Sequence, residues 1–550
     1  MFIRVKTTPN SPRKSVQIVE SYRQAERVRQ RILRHIGVAE DDEQLQKLKE
    51  LATFTMVQMQ HTVQPSLFSA EEEAQQIIVA RQHTQEPIQH ETPLPVDLRQ
   101  LREVSRITTG FHEVYGTLYQ QLGFDRLMGT RRAASGRVLR DMVMARLARP
   151  ASKRATAHFL ARDFGIEIDV NQIYRMMDHL DETLQARIQQ CAHNAAFDLL
   201  EQNVDVLFFD CTTLYFESFD EDSLRQKGFS KDHKSAETQV LLALLVTREG
   251  LPVGYRLYPG AKWEGHTLLD AVMDIRQMCS VGRVVLVADS ALFTQENLQL
   301  MQAHQQPYIV AAKLKNLPRS LQNTVLDSSG YRPLSEHESF LETAHLDQRL
   351  IVTYSEQRAR KDAHERQKTL ERAHKRYHNK TVKSAIKGFH ARYLKVEGPG
   401  RVALDPERIA EAQRWDGLHG IITNIPDISV HEAVSHYRGL WQIEETFRLS
   451  KHDLSIRPIF HWSESRIRAH IALCFIALTC MRWLTYTCHL RYENLSPEVI
   501  RNELAHVQLS ILQDQKTQRR FAIPSSSTQH AQQLFKLVGK SLTTLPFEIV

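Results

Sequence analysis

Val206-Leu-Phe-Phe-Asp210 and Val284-Val-Leu-Val-Ala-Asp289 are short apolar runs that each stop on an aspartate. An apolar run of this length reads as a buried strand. Each carboxylate is therefore expected at a strand end, on the edge of a sheet, where sites are commonly built. Between the two runs, Gln239–Thr247 is strongly apolar, Arg248-Glu249-Gly250 supplies a turn, and Leu251–Tyr258 closes at Pro259-Gly260. That is the pattern of an antiparallel hairpin. Helical spacing over Leu268–Cys279 leads into the strand at 283–288. A helix near Thr294–His304 and a strand at Tyr308–Ala312 follow.

Three antiparallel strands followed by helix, strand, helix and strand is the order of a ribonuclease-H-like mixed sheet, an α/β fold. That topology puts one acid on its first strand and a second after its fourth. Asp210 and Asp289 occupy both slots. Either aspartate alone reads as a loop cap; agreement between element order and acid position favours function.

A third acid lies far downstream, in Tyr437-Arg-Gly-Leu-Trp-Gln-Ile-Glu444-Glu-Thr-Phe-Arg448-Leu-Ser-Lys451. On one helix, residues seven apart share a face. Tyr437, Glu444 and Lys451 then form a single stripe, with Arg448 one turn past Glu444 and Leu440, Ile443 and Phe447 packing inward. A carboxylate ligates metal, while a lysine and a phenol hold phosphate oxygens. A solvated helix with basic neighbours has the same spacing, so the stripe gains meaning only beside the two aspartates. Glu445 is the rival acid and points about a quarter-turn away. Three acids on separate elements of a basic chain suggest a cage for divalent cations that acts on a nucleic-acid phosphate.

The bulk numbers agree. The 550 residues are 42% hydrophobic and 25% charged, as in a globular protein of three or four units. The net charge of +7 favours a polyanionic partner. Six scattered cysteines without a CxxC pair form neither a disulfide framework nor a zinc site and suit a reducing cytoplasm. The first residues lack the apolar run of a signal peptide. The longest apolar stretch, Ile471 to Cys480, is too short to span a bilayer and reads as a buried helix, so no membrane partner is expected.

Six segments emerge. Residues 1–100 open with a strand pair near Phe2–Thr7 and Ser15–Glu20, then a basic stretch from Arg23 to Arg34 and a polar linker. Residues 101–200 read as helical. Ser152–Gly165 and Asn171–Met177 are spaced as a helix-turn-helix or an ordinary hairpin, and Lys153, Arg154 and Arg175 lean towards DNA. Residues 201–315 and 430–490 make two parts of the core. Residues 316–429 are expected as a domain inserted between the second and third acids, and 491–550 as a tail with a dimerising role. Within the insertion, Ser355–Lys387 reads as a charged helix. From Arg358 to Arg401 there are 14 Lys or Arg against four acids, so Arg372, Lys375 and Arg376 are candidate phosphate contacts, although a solvated face carries the same charge run. Lys231 and His233 are weaker candidates, in the loop after the first strand.

On these residues the chain resembles the DDE insertion-sequence transposases of the insertion-sequence-four superfamily. Tyr437, Glu444 and Lys451 fit that family's Tyr-Arg-Glu-Lys signature, except that Leu440 stands at the Arg position. Phe209-Asp210-Cys-Thr-Thr-Leu and Val287-Ala-Asp289-Ser-Ala-Leu-Phe-Thr-Gln-Glu-Asn297 are similar to its first and second acid motifs. Gly228-Phe-Ser-Lys-Asp232, Gly250-Leu-Pro-Val and Asp416-Gly417-Leu resemble its framework. The resemblance covers about residues 200–490.

It implies Asp210, Asp289 and Glu444 as catalytic and metal-binding residues for two Mg²⁺ ions, with Mn²⁺ as a substitute. Tyr437, Arg448 and Lys451 would contact DNA. The implied activity is cleavage at terminal inverted repeats of double-stranded DNA and strand transfer to a target, by a homodimer in the DNA complex. A structure-selective nuclease or resolvase on the same fold, or a non-catalytic DNA-binding descendant, are the other readings.

Overall fold

A computed structural model describes residues 2–7, 14–24, 27–39, 44–45, 48–49, 51–53, 55–56, 96–200, 206–217, 220–228, 237–263, 266–268, 270, 273, 285–289, 294–379, 392–396, 402–492 and 494–549. Residues 1–96 and 97–550 are separate compact units. In the first, β1 (Phe2–Thr7), β2 (Lys14–Gln24) and β3 (Arg27–Ala39) make an antiparallel sheet over a small core of Val16, Ile18, Ala39, Leu45 and Ala52. The stretch from Arg23 to Arg34, expected only as basic chain, is therefore mostly a third strand.

The second unit opens with β4 (Leu101–Thr108) and then α1 (Gly110–Gln121), α2 (Ala133–Ala148), α3 (Lys153–Phe164), α4 (Val170–Asp178) and α5 (Glu182–Leu199). Local chemistry sets the α3–α4 boundaries. The Ser152 hydroxyl accepts from the Ala155 N–H at 3.2 Å to start α3. Gly165, at φ +68, ends it in the left-handed region. Asp169 and Gln172 then form a capping box that starts α4.

The central sheet follows: β5 (Val206–Tyr215), β6 (Gln239–Thr247), β7 (Pro252–Pro259), β8 (Val285–Ala288), α6 (Gln295–Ala303) and β9 (Tyr308–Ala312). Strands β5, β6 and β7 are antiparallel, while β8 and β9 run parallel to β5. This is the ribonuclease-H-like arrangement. Every residue of β6 is buried, as a strand covered on both faces requires. Along β5, Val206, Phe208 and Leu214 join one core and Leu207, Phe209 and Cys211 the other. The expected helix at Leu268–Cys279 lies mostly outside the described residues.

The segment expected as an insertion extends this sheet. It runs through α7 (Arg319–Leu326), β10 (Arg332–Ser335), β11 (Glu338–His345), β12 (Gln348–Ser355), α8 (Glu356–Asn379), β13 (Leu394–Val396), β14 (Val402–Leu404), α9 (Pro406–Gln413) and β15 (Leu418–Thr423). Strand β15 pairs antiparallel with β9, and β12, β11 and β10 continue outward to give nine strands. Among the described residues of this segment, only β13 and β14 form a separate ribbon. Backbone pairing at the exposed edge of β9, rather than a second core, absorbs most of this segment.

Next come α10 (Val430–Arg438), α11 (Trp441–Arg448), α12 (Glu464–Arg491), α13 (Pro497–His506), β16 (Gln508–Asp514), β17 (Arg520–Pro524), α14 (Gln529–Leu537) and β18 (Phe547–Ile549). The 28-residue α12 is long and apolar enough to cross a membrane, yet 78% of its most apolar window is buried among the surrounding helices. The expected tail is no appendage: β16 pairs with β4, closing a four-stranded sheet between the two ends of the unit.

Gly110 lets α1 approach α13. A Cβ there would lie 2.3 Å from the Leu504 carbonyl oxygen, whereas one at Gly116 meets nothing within 4 Å. Gly110→Ala is expected to cost about 1–3 kcal/mol in urea unfolding. Gly116→Ala, on the same helix, should be neutral or stabilise by up to about 1 kcal/mol.

Candidate active site

The parallel register of β5 and β8 pairs Phe208 with Val287 and Phe209 with Ala288. Asp210 and Asp289 are each the residue that follows this last rung. Adjacent strands lie about 4.8 Å apart, so the two acids leave the ladder one strand spacing from each other. Asp210 is half-buried and Asp289 exposed. One Asp210 oxygen accepts from the Cys211 N–H at 2.8 Å. Asp210 is not the strand end that its apolar run suggests. Strand β5 continues to Tyr215 against β6, and it is β8 that stops at Ala288.

The expected single helix carrying the third acid is three pieces. α10 ends at Arg438, α11 starts at Trp441, and Leu449–Asp453 winds as a π turn, with the Leu454 N–H on the Leu449 carbonyl at 3.0 Å. Gly439, in the junction, rests on Phe208: a Cβ would sit 2.5 Å from the ring. The junction thus crosses the sheet two residues before Asp210, on the same face. Glu444 is exposed in the first turn of α11, where an acid suits the helix dipole. Ile443 and Phe447 are buried beneath it.

Tyr437 links the acids electrostatically. Burial, helped by the charges of Asp289 and Glu444 and opposed by Arg358, pushes its phenol up to about 12. His419 on β15 packs on Tyr437 with ring centroids 4.9 Å apart. Burial, helped by Arg358 and opposed by Asp289, holds this imidazole near 4. At neutral pH the pair is an uncharged phenol and an uncharged imidazole beside a carboxylate. Neither His419 nor Arg358 belongs to a sequence motif; both arrive through the β9–β15 pairing and the α8 that follows β12.

Two expected contacts stand differently. Arg448 forms a two-pronged pair with Glu445, both bonds at 2.7 Å, and lies 3.7 Å from Asp453. Its charge is engaged by the rival acid, not by Glu444. Lys451 sits in the π turn, where five-residue bonding breaks the seven-residue stripe with Glu444. On α8, Arg372 is exposed, whereas Arg366 is buried in an ion pair with Asp416. The side chains of Lys375 and Arg376 lie outside the described residues, as do Lys231 and His233. Among the described residues, no three His, Cys, Asp or Glu side chains gather closely enough to hold an ion. Asp210, Asp289 and Glu444 share a region as oxygen donors rather than as a closed cage.

A family model described as the transposase DDE domain matches residues 203–480, just over half of the chain, and spans all three acids. The chain belongs to the DDE transposase family. The N-terminal domain of IS1634-family transposases matches residues 3–54, which makes this an insertion-sequence transposase and accounts for the small β1–β3 unit. No curated protein matches the chain. Among solved structures, it is similar to a piggyBac transposase synaptic complex with hairpin DNA, at 9% identity and a TM-score of 0.36, over 72% of this chain and 76% of that one. It is also similar to a Mos1 transposase paired-end complex, at 9% identity and a TM-score of 0.15, over 29% of this chain and 53% of that one.

In this transposase, the segment after the π turn is clamped by basic side chains, of which Arg146, Lys153 and His470 are buried. Arg146 donates to the Leu454 and Ser455 carbonyls at 3.1 and 3.3 Å. Arg501 reaches the Asp453 carbonyl at 2.9 Å, and His470 lies 3.0 Å from that of Ile456. Lys153 lies 3.2 Å from the other His470 nitrogen. Lys153 is buried and does not face DNA; Arg154 and Arg175 remain exposed. Burial, with Arg146 adding, lowers the Lys153 amine to about 7 from its usual 10.5. Between those values the unfolded chain binds more protons than the folded one, so this group makes stability rise with pH from about 7 to 10.5. Lys153→Met should flatten that rise, read as the change in urea midpoint with pH relative to wild type.

Proposed function

We infer that this transposase binds the terminal inverted repeats of its own element, cleaves DNA there, and joins the freed 3′ ends to target DNA, with Asp210, Asp289 and Glu444 as its catalytic carboxylates. The observation that carries the reading is the parallel pairing of β5 with β8 up to the residue before Asp210 and Asp289, with the Gly439 junction that leads to Glu444 packed on Phe208, in a chain of the DDE family. The donor set consists of oxygens only, which suits Mg²⁺, with Mn²⁺ as a substitute. Two such ions, when bound, supply activation of the attacking hydroxyl and stabilisation of the leaving 3′ oxygen.

The chain's own groups do the rest. The three carboxylates would hold the ions. The Tyr437 phenol keeps its proton and can donate it to a phosphate oxygen. Lys451 supplies a cation from the π turn that follows the Glu444 helix, and Arg448, released from Glu445, a second. The spacing of Tyr437, Glu444 and Lys451 supports the insertion-sequence-four group, with Leu440 in place of its Arg. Arg372, Lys375 and Arg376 on α8 grip flanking phosphates. Both element ends must be held together for coupled transfer, so the working unit is a homodimer on DNA, in the cytoplasm at the nucleoid.

Asp210→Asn, Asp289→Asn and Glu444→Gln are each expected to lower cleavage of an end-containing duplex by at least about 10³-fold, with end binding retained in gel shifts. Full strand transfer by any one of them would remove that residue from the site. Cleavage without any joined product, by the wild type with Mg²⁺ or Mn²⁺, would identify a nuclease instead. Reversing the charge of Arg372, Lys375 and Arg376 together should weaken binding and reduce its salt dependence; unchanged salt dependence would clear α8 of a DNA role.

A further inference from the structure

Residues 124–149 carry seven arginines and no lysine, against two acids, Asp125 and Asp141. Four of them, Arg126, Arg131, Arg132 and Arg137, are exposed in the loop before α2 and at its start. The loop is held from beneath. Phe124, Leu127 and Met128 are buried, and Arg187 of α5 donates to the Leu127 and Arg126 carbonyls at 2.9 and 3.1 Å. Gly129, at φ +61, turns the chain out of this anchor into Thr130–Arg132. A fixed backbone therefore presents four long cationic side chains to solvent.

Among the described residues, none of these four guanidinium groups makes a hydrogen bond, an ion pair or a ring contact. The natural partner for Arg137 is Asp141, one turn on. Asp141 is instead buried against Arg140 at 3.0 Å and His112 at 3.4 Å. Asp125 pairs with none of the four. Exposed arginines such as Arg99, Arg106, Arg162, Arg414 and Arg519 do find a carboxylate elsewhere in the described chain. Like charges gathered without counter-ions repel, and an external polyanion relieves that repulsion. The planar guanidinium fork matches phosphate oxygens better than an ammonium does.

We propose that Arg126, Arg131, Arg132 and Arg137 form a docking surface for the phosphate backbone of duplex DNA, read without regard to sequence. The surface lies outside residues 203–480 and outside the α3–α4 pair. It rests on the transposase reading for the identity of the polyanion, and not on the three carboxylates. Its role is to hold DNA flanking the reacting phosphate.

The test uses the full chain and a short duplex of arbitrary sequence. Each phosphate contact contributes about 0.9 to the slope of log affinity against log salt. The combined Arg→Gln variant at the four positions should lower that slope by about 2 to 4. The combined Arg→Lys variant keeps the charge and should stay within about 1 of the wild-type slope. A wild-type slope in the Gln variant overturns the proposal. Phenylglyoxal modification of the unaltered protein, mapped by mass spectrometry, answers the same question without any folding risk. Duplex DNA should slow modification of Arg131 and Arg132 at least threefold. Equal rates with and without DNA, or stronger protection by RNA of the same length, overturn it. The Asp210→Asn protein should show the same protection, so a failed surface leaves the carboxylate chemistry standing, and a failed catalytic assignment leaves the surface standing.

Discussion

The parallel pairing of β5 with β8 is the constraint on which the rest depends. It brings together two aspartates 79 positions apart in sequence and sets them one strand spacing from each other. Such a pairing cannot be made by a tight turn. It needs a crossover, and both strands must be covered on both faces. The all-apolar β6, the two cores divided by alternate residues of β5, and the helices laid across the sheet all meet that requirement. Two carboxylates one strand spacing apart repel. Their arrangement is stable where one stays solvated, as Asp289 does, and where backbone N–H groups serve the other, as Cys211 serves Asp210.

The third acid reaches this pair by a different device. A small residue at Gly439 lets the α10–α11 junction sit on the Phe208 ring, and the chain beyond is pinned from both sides. Arg482 of α12 bonds the Gly250 carbonyl at 2.7 Å and the Gln442 amide oxygen at 2.9 Å, tying the β6–β7 turn to α11. Arg146, Arg501 and the Lys153–His470 pair fix the segment after the π turn. Burying cations is expensive unless each finds acceptors. Here backbone carbonyls of an irregular segment, which would otherwise lack partners, supply them. The outlay in desolvation thus secures a short stretch of chain beside Lys451.

Element order in the core was legible because its patterns are strong and local. The runs at 206–210, 239–247 and 308–312 are apolar enough to be strands in any context, and Gly250 at φ +83 makes the turn between β6 and β7. Ser152–Gly165 and Asn171–Met177 read as helices and are α3 and α4. What failed were inferences about continuity. Tyr437, Glu444 and Lys451 look like one helical stripe, but the Gly439-Leu440 break and the π turn are tertiary accommodations to Phe208 and to the clamped carbonyls. Residues 316–429 lie between the second and third acids as an inserted segment, and how its strands join the edge of β9 was not legible. The final segment shows no motif because its partner, β4, lies at the other end of the unit.

The sequence by itself determined the strands, the caps, the two aspartates and the excess of positive charge, since each depends on residues within a few positions of one another. Only the tertiary structure decided which charges are available. It buried Lys153, engaged Arg448 with Glu445, brought His419 against Tyr437, and left Arg126, Arg131, Arg132 and Arg137 without carboxylates. The availability of a charge depends on every group around it in space, and some of those neighbours, as His470 is to Lys153, come from elements hundreds of residues apart.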